Sequence, residues 1–280
     1  MPKTTHDTYH DTYKALSKQL SETQARIILN ERAGLSWASI IATPDAIIDD
    51  KTAQAIQNDL KQRMNGKPLS RIYGKREFWG LEFSLNENTL DPRPDSETLI
   101  ETALAHYKDK PPPKTILDLG TGTGCLLLAL LSEFKEAQGI GIDISEKALT
   151  AAQTNAKALQ LDARSTFIKG KWAESLDRKF DLIISNPPYI ASNIIPNLEK
   201  EVKNHDPILA LDGGIDGLQA YKDIFSDLLR IMNDDGIALF EIGFDQASQI
   251  ERLSNKYEIR IGSVYPDLAG NPRVVDMFKK

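Results

Sequence analysis

Residues 115–124 read Thr-Ile-Leu-Asp-Leu-Gly-Thr-Gly-Thr-Gly, and they carry the strongest indication of the fold. The first half is an apolar run of strand length, and the second half places glycine at positions 120, 122 and 124. Residues 124–134 continue as an apolar run of helical length. Glycine lets a backbone turn tightly and lets a ligand approach it closely. The stretch therefore predicts a buried strand, a tight turn and a helix, which together open an α/β sheet.

Downstream of this turn, strand-like and helix-like segments alternate to the end of the chain. The helical segments are residues 124–134, 145–159 and 221–232. The strand-like segments are residues 115–119, 138–142, 165–169, 180–185, 237–242, 257–261 and 273–278. Alternation of this kind predicts a mostly parallel, seven-stranded sheet with helices on both faces.

The chain before residue 91 has a different character. Residues 8–64 show apolar residues at helical spacing, with Ser21 or Thr23 as a possible helix cap and Asn65-Gly66 as a stop. Thr43-Pro44-Asp45 predicts the start of a further helix. Apolar and polar residues then alternate around Gly74, which predicts a hairpin. We expect a helical domain over residues 1–66, a β-hairpin linker over 67–90 and an α/β domain over 91–280.

Composition narrows the class of protein. The 280 residues carry 40 acidic and 34 basic side chains, a net charge of −6, which is weak evidence against a nucleic acid substrate. A single cysteine excludes a disulfide framework, and the four histidines, His6, His10, His106 and His205, lack metal-ligand spacing. The polar start is neither a secretory signal nor a transit peptide, and no apolar run approaches the ~20 residues that span a bilayer. We expect a cytoplasmic protein with no membrane partner and no metal.

The glycine turn and an acidic residue beyond it indicate a nucleoside site. Asp143 ends the second strand, at about the distance past the first turn where a carboxylate meets a ribose diol. Taken alone, the turn could hold no ligand, and Asp143 could cap the following helix. Together they favour a cofactor that contains adenosine. The turn lacks the full Gly-x-Gly-x-x-Gly spacing, so the cofactor need not be a dinucleotide.

Asn186-Pro187-Pro188-Tyr189 follows the fourth strand, at the sheet edge where open α/β proteins bind ligands. The prolines have no N–H, so the segment offers carbonyl oxygens, to which Asn186 adds a side-chain oxygen. Two neighbouring acceptors suit a planar NH₂ group and expose its out-of-plane face to a methyl donor. Tyr189 supplies a flat ring for the substrate. The alternative is a rigid turn after a buried strand.

These motifs together resemble the HemK/PrmC family, the glutamine methyltransferases of peptide chain release factors. The resemblance covers nearly the whole chain. It rests on the helical N-terminal region, Phe78-Trp79-Gly80, Pro92-Arg-Pro-Asp-Ser-Glu97, Asp118-Leu-Gly-Thr-Gly-Thr-Gly124, Asn186-Pro-Pro-Tyr189, Asp212-Gly-Gly-Ile-Asp-Gly217 and Asp267-Leu-Ala-Gly-Asn-Pro-Arg-Val-Val275. Asn-Pro-Pro-Tyr alone also occurs in DNA adenine methyltransferases, whereas its combination with Pro-Arg-Pro is more specific.

The resemblance implies a Rossmann-like class I methyltransferase fold, dependent on S-adenosyl-L-methionine, behind a small helical domain that docks the release factor. It implies that Asn186, Pro187 and Tyr189 are catalytic, and that Asn186, Pro187, Pro188 and Tyr189 hold the substrate glutamine. The cofactor residues that it implies are Gly120, Thr121, Gly122, Thr123, Gly124, Asp143, Trp172 and Asn186. Trp172 would lie against the adenine, although a tryptophan after a strand also suits a core.

Several points stay open from the sequence. Arg93 and Glu97 could hold the charged tail of the cofactor or form salt bridges in a structural turn. Asp91 and His205-Asp206 depart from the family pattern on the expected substrate side. A nucleic acid adenine methyltransferase that flips its target base is the second interpretation, and a cofactor-binding module without catalysis is the third.

Overall fold

The computed structural model describes residues 8–280. The chain divides into two compact units, with the boundary between Gly74 and Lys75. His6 lies outside the described residues. Among those that are described, no helix is long and apolar enough to cross a membrane. The first unit is helical, as the apolar spacing predicts. Its helices are α1 (Tyr9–Ser17), α2 (Glu22–Ala33), α3 (Trp37–Ala42), α4 (Asp50–Met64) and α5 (Leu69–Tyr73).

The caps explain where these helices begin and end. Ser21 is the cap of α2, since its side chain accepts a hydrogen bond from the backbone N–H of Gln24 at 3.3 Å. The prediction that Thr43-Pro44-Asp45 opens a helix is wrong. These residues form a turn, and α4 begins only after Asp49, whose carboxylate accepts a hydrogen bond from Thr52 N at 2.9 Å.

The boundary between the two units falls at Gly74, and residues 69–73 form helix α5 of the first unit, where the sequence predicted the start of a hairpin linker at residue 67. The hairpin itself consists of β1 (Lys75–Phe78) and β2 (Leu81–Ser84). It turns at Trp79 and Gly80, which both have positive φ, and not at Gly74. Alternation of apolar and polar residues alone could not distinguish a one-turn helix followed by a tight hairpin from a longer pair of strands.

The second unit carries the seven-stranded sheet. Its strands are β3 (Thr115–Leu119), β4 (Gln138–Asp143), β5 (Ser165–Lys169), β6 (Phe180–Ser185), β7 (Met232–Glu241), β8 (Ile259–Pro266) and β9 (Pro272–Lys279). Its helices are α6 (Glu97–Tyr107), α7 (Cys125–Glu133), α8 (Glu146–Ala158), α9 (Lys200–His205), α10 (Gln219–Ile231) and α11 (Ala247–Lys256). The strand order is β5-β4-β3-β6-β7-β9-β8. Strand β9 is antiparallel to both of its neighbours, β7 and β8, whereas the pairs from β5 to β7 are parallel.

The sheet separates two apolar cores. Leu117 and Ile183 belong to one core, while Ile116 and Leu182 belong to the other. Strands that are covered on both faces are apolar along their whole length, which explains the runs in β3 and β6. The chain leaves β3 toward β4 and β5 and returns to β6 on the other side of β3. Ligands of open α/β sheets bind where the strand order reverses, so the site is expected at the carboxyl ends of β3 and β6.

Candidate active site

The glycine turn after β3 is held by backbone hydrogen bonds. The N–H groups of Gly120 and Thr121 both donate to the carbonyl oxygen of Ile142, at 2.8 and 2.9 Å. Gly120, Gly122 and Gly124 have φ values of 77°, 55° and 78°, in the left-handed region that side chains rarely adopt. This backbone conformation explains why the turn needs three glycines.

Asp143 joins this turn to the start of α8. Its Oδ2 atom accepts a hydrogen bond from Gly122 N at 2.9 Å, and its Oδ1 atom accepts one from Ser145 N at 2.9 Å. The cap of α8 is Ser145, so the alternative that Asp143 caps this helix does not hold. Burial raises the pKa of the Asp143 carboxyl. Because each carboxylate oxygen can accept a second hydrogen bond, Asp143 can still bind hydroxyl groups.

Trp172 lies against the glycine turn. A Cβ atom built on Gly120 would lie 3.3 Å from the Trp172 ring. Trp172 itself has a φ of 50°, an uncommon conformation for a large residue, and its ring also packs on one of the two cores. The sequence offered two roles for Trp172, a core residue or a contact for the adenine. The ring packs against the core and also lines a cavity, so its position fits both.

A cavity of about 380 Å³ opens beside these residues, within the range of small-molecule sites, ~300–1,000 Å³. Of the predicted site residues, those that line it are Gly120, Thr121, Gly122, Thr123, Asp143, Trp172, Asn186 and Pro188. Gly124, Pro187 and Tyr189 do not line it. Gly124 starts α7, where an added Cβ would lie 3.2 Å from the Cβ of Ala152 in α8, so it permits two helices to approach. Among residues 8–280, no group of three or more His, Cys, Asp and Glu side chains could hold a metal ion.

The Asn186 side chain has a defined orientation. Its Nδ2 atom donates a hydrogen bond to Ser96 Oγ at 3.0 Å, which leaves Oδ1 without a partner in the described part of the chain. Ser96 is buried and donates its own proton to Glu241 Oε2 at 2.5 Å. Asn186 lines the cavity, so the amide presents a free oxygen acceptor at the end of β6. Pro187, which follows it, is buried.

Tyr189 is fixed at its hydroxyl end. Its OH group donates a hydrogen bond to Glu241 Oε1 at 3.2 Å. Glu241, at the end of β7, is only 1% exposed, and burial raises its pKa to about 7. The same carboxylate therefore lies behind both ends of the Asn-Pro-Pro-Tyr segment.

The three glycines in residues 212–217 have a structural explanation. This loop runs beside the Asn-Pro-Pro-Tyr segment, with hydrogen bonds from Ile190 N to Leu211 O at 3.0 Å and from Gly213 N to Ile190 O at 2.8 Å. Gln246 then connects the two segments, because its Nε2 atom donates to the carbonyl oxygens of both Tyr189 and Gly217. The loop and Gln246 therefore hold the backbone of the segment in place.

The Pro-Arg-Pro turn has two separate roles. Glu97 accepts a hydrogen bond from the backbone N–H of Trp79 at 2.9 Å, which fixes the hairpin turn. Arg93 lines the cavity and pairs with Asp206 at 2.5 Å. Asp206 also accepts a hydrogen bond from Asp91 N at 3.3 Å. The two positions that depart from the family pattern, Asp91 and Asp206, therefore meet each other beside Arg93.

The sequence did not predict Ser96 and Glu241 as site residues, although both contact predicted site residues. The two lie 145 positions apart, and no local spacing relates them. One available signal is the carboxylate at the end of the apolar run Ile237-Ala-Leu-Phe240, since polar groups at the carboxyl ends of buried strands point to the ligand edge. Asn155 was also missed, and its Nδ2 atom donates to the carbonyl oxygens of Thr123 and Ser84, at 2.9 and 3.1 Å.

Comparison with known proteins agrees with this geometry. Residues 112–258 match the model of a methyltransferase domain, and residues 10–74 match the PrmC N-terminal domain. The release factor glutamine methyltransferase of Agrobacterium fabrum is 41% identical over 254 residues, which cover 90% of this chain and 88% of that protein. The chain belongs to the release factor glutamine methyltransferase family. Another member of this family, from Bradyrhizobium diazoefficiens, is 41% identical and is matched over 94% of this chain and 90% of its own length.

Solved structures outside this family share the fold of the glutamine methyltransferases. The hMettl16 catalytic domain, in complex with the MAT2A 3'UTR hairpin 6, aligns with a TM-score of 0.57 at 14% identity, covering 83% of each chain. A ribosomal protein L11 methylase from Lactobacillus delbrueckii subsp. bulgaricus aligns with a TM-score of 0.50 at 23% identity, over 67% of this chain and 80% of its own. The predicted Rossmann-like methyltransferase fold with a helical N-terminal domain is thus confirmed.

Proposed function

We propose that this protein transfers a methyl group from S-adenosyl-L-methionine to the side-chain amide nitrogen of the glutamine in the Gly-Gly-Gln motif of peptide chain release factors, in the cytoplasm. The observation that carries the proposal is the Asn186 amide, which is oriented by Ser96 so that its oxygen is the atom available at the cavity. An acceptor in this place suits the NH₂ group of a glutamine side chain. The names of the relatives support the same substrate.

The cavity fits the cofactor in its chemistry. Asp143 offers carboxylate oxygens for a ribose diol, and the backbone approaches the cavity closely where Gly120 lies under the Trp172 ring. Trp172 borders the cavity with an aromatic surface that suits an adenine. When bound, the cofactor supplies a methyl group made electrophilic by a sulfonium sulfur.

The protein contributes position and polarisation. An amide nitrogen is a poor nucleophile because its lone pair is delocalised, so alignment is the main requirement. Asn186 Oδ1 and the carbonyl oxygens of the proline turn accept the two N–H groups of the substrate, which turns the face of the nitrogen toward the methyl group. The Asn-Pro-Pro-Tyr segment contains no histidine or lysine base. We infer that the new N–C bond would form as the bond between the methyl group and the sulfonium sulfur breaks, and that the amide proton would then leave to water.

A nucleic acid adenine methyltransferase remains the competing enzyme, because an exocyclic NH₂ group also fits this acceptor. Such an enzyme requires a basic groove, whereas the net charge of the chain is −6. A cofactor-binding module without catalysis is the third possibility, and the free acceptor on Asn186 speaks against it.

The test uses methyl-labelled S-adenosyl-L-methionine and the purified protein in three reactions. The first contains a bacterial release factor, the second contains the same factor with its Gly-Gly-Gln glutamine changed to alanine, and the third contains duplex DNA. Label in the first reaction alone supports the proposal. Label in the DNA reaction supports the adenine methyltransferase, and cofactor binding without any label supports the binding module.

A further inference from the structure

Glu241 is a buried carboxylate that contacts the Asn-Pro-Pro-Tyr segment and does not line the cavity. Its two oxygens receive hydrogen bonds from two different parts of the chain, Ser96 Oγ at 2.5 Å and Tyr189 OH at 3.2 Å. Ser96 Oγ in turn accepts a hydrogen bond from Asn186 Nδ2 at 3.0 Å. One carboxylate thus connects to the first and the last residue of Asn-Pro-Pro-Tyr.

The direction of these hydrogen bonds follows from proton counting. An ionised carboxylate can only accept, so the single hydroxyl proton of Ser96 must go to Glu241. Ser96 then has only lone pairs to offer, and Asn186 must turn its NH₂ group toward them. The amide oxygen is left on the other side. The orientation of Asn186 is therefore set by the charge state of a residue two hydrogen bonds away.

We propose that Glu241 is a positioning residue for methyl transfer: its carboxylate, acting through Ser96, keeps the oxygen of Asn186 toward the substrate amide. This inference rests on the proposed function. Glu241 also accepts a hydrogen bond from Tyr189 OH, which holds the other end of the Asn-Pro-Pro-Tyr segment. Neither contact requires Glu241 to touch substrate or cofactor.

Groups from several elements act on the charge of Glu241. Arg273 in β9 favours the ionised form, as do the hydrogen bonds from Ser96 and Tyr189, whereas burial and the nearby Asp95 oppose it. Tyr221 in α10 donates its hydroxyl to the backbone carbonyl of Glu241 at 2.7 Å. Burial is the largest effect, and it raises the pKa of Glu241 to about 7.

The consequence is a dependence on pH with a defined sign. Above the pKa, Glu241 accepts from Ser96 and the acceptor oxygen of Asn186 is available. Below it, the protonated carboxyl can donate to Ser96 Oγ, which frees the hydroxyl proton of Ser96 for the oxygen of a reversed Asn186 amide. We expect kcat to fall as the pH drops through about 7, with little change in cofactor affinity.

The experiment compares wild type, Glu241→Gln and Ser96→Ala in release factor methylation between pH 6 and 9. Glutamine can offer either an acceptor or a donor to Ser96, so the Asn186 amide is no longer held in one orientation. We expect the kcat of Glu241→Gln to be roughly tenfold lower than that of wild type at pH 8. We also expect this variant to lose the acidic limb, which is the decrease in kcat as the pH drops through about 7. Its KM for the cofactor should stay within about twofold of wild type. Glu82→Gln, on the exposed face of the hairpin, is the matched control and keeps both kcat and the acidic limb.

A second readout does not depend on the substrate. In protein carrying isotope-labelled side chains, NMR follows the Glu241 carboxyl carbon and the Asn186 side-chain NH₂ group as the pH changes. We expect both signals to titrate with one midpoint in wild type, and the Asn186 signal to stop titrating in Ser96→Ala. An Asn186 signal that ignores the Glu241 titration overturns the proposal, and so does an unchanged acidic limb in Glu241→Gln. If wild type fails to methylate any release factor, the proposed function fails while the NMR titration still tests the connection.

Discussion

Asn186 shows how much a single side chain contributes to this site. The sequence predicts its role from local composition, because two prolines remove the donors on one side and leave acceptors. The sequence does not show which of its two amide atoms faces the ligand. That choice is made by Ser96 and Glu241, which approach from the turn before α6 and from the end of β7.

Replacement of Asn186 by alanine removes the side-chain acceptor and keeps the glycine turn and Asp143. We expect kcat to fall at least ~100-fold, by analogy with the loss of one preorganised polar group in an active site. Cofactor affinity, measured by calorimetry, should remain largely intact. Asn255→Ala, on the exposed face of α11, provides the matched control. Full activity in Asn186→Ala would contradict the two-acceptor mechanism.

At the scale of elements, loop 212–217 packs directly against the backbone of the Asn-Pro-Pro-Tyr segment. Gly217 has a φ of 71°, and a Cβ atom there would lie 2.4 Å from the carbonyl oxygen of Tyr189. The space between the two segments is therefore too small for any side chain.

We expect Gly217→Ala to displace Tyr189 and to lower kcat about 10- to 100-fold, because small displacements of positioning groups are costly. Stability should fall by about 1–3 kcal/mol from the strained φ alone. Gly34→Ala is the control, since Gly34 has a similar φ of 64° but no atom within 4 Å of the added Cβ. Circular dichroism melts and methylation assays of both variants separate strain from displacement. Equal activity in the two variants would show that the contact with Tyr189 does not matter.

Elements also mark the limit of what the sequence predicts. The strands β3 and β6 and the turns after them follow from apolar runs bounded by glycine or proline, and the structure confirms both. The start of α4 and the whole of α5 were not predicted. The Asp49 cap sets the start of α4 after the Thr43-Pro44-Asp45 turn, and α5 is a five-residue helix without a side-chain cap that ends at Gly74. The predicted cofactor and substrate residues lie in local motifs, whereas the contacts that Ser96, Asn155 and Glu241 make with them depend on tertiary proximity.

On the scale of the whole molecule, two buried carboxyls make the fold sensitive to pH. Asp118 is fully buried at the end of β3, and burial raises its pKa to about 7, as it does for Glu241. A folded-state pKa above the ordinary value means that the folded chain binds more protons at intermediate pH. The contribution of these two groups to the free energy of unfolding is therefore largest at pH values below their ordinary pKa values. It decreases as the pH rises through about 7, their pKa in the folded chain.

We expect Glu241→Gln to be more stable than wild type at pH 8, by on the order of 3 kcal/mol, with the difference shrinking toward pH 5. Urea unfolding of both proteins at several pH values measures it. The Glu82→Gln variant, which changes an exposed glutamate, should show no such trend. A difference that does not change with pH would mean that the pKa of Glu241 is the same in the folded and the unfolded chain, and would contradict the prediction. If the trend is found, the ionised carboxylate of Glu241 destabilises the folded chain at neutral pH, a cost that the proposed positioning role would offset in activity.

The position of Trp172 also has an optical consequence. The chain has three tryptophans, and Trp172 is the one that borders both the glycine turn and the cavity. Its indole emission depends on whether water or an aromatic base covers the ring. Occupation of the cavity should therefore change the fluorescence of the unlabelled protein, and Trp172→Phe should remove that change. The protein carries its own reporter, so ligand exchange can be followed in real time without attaching a dye.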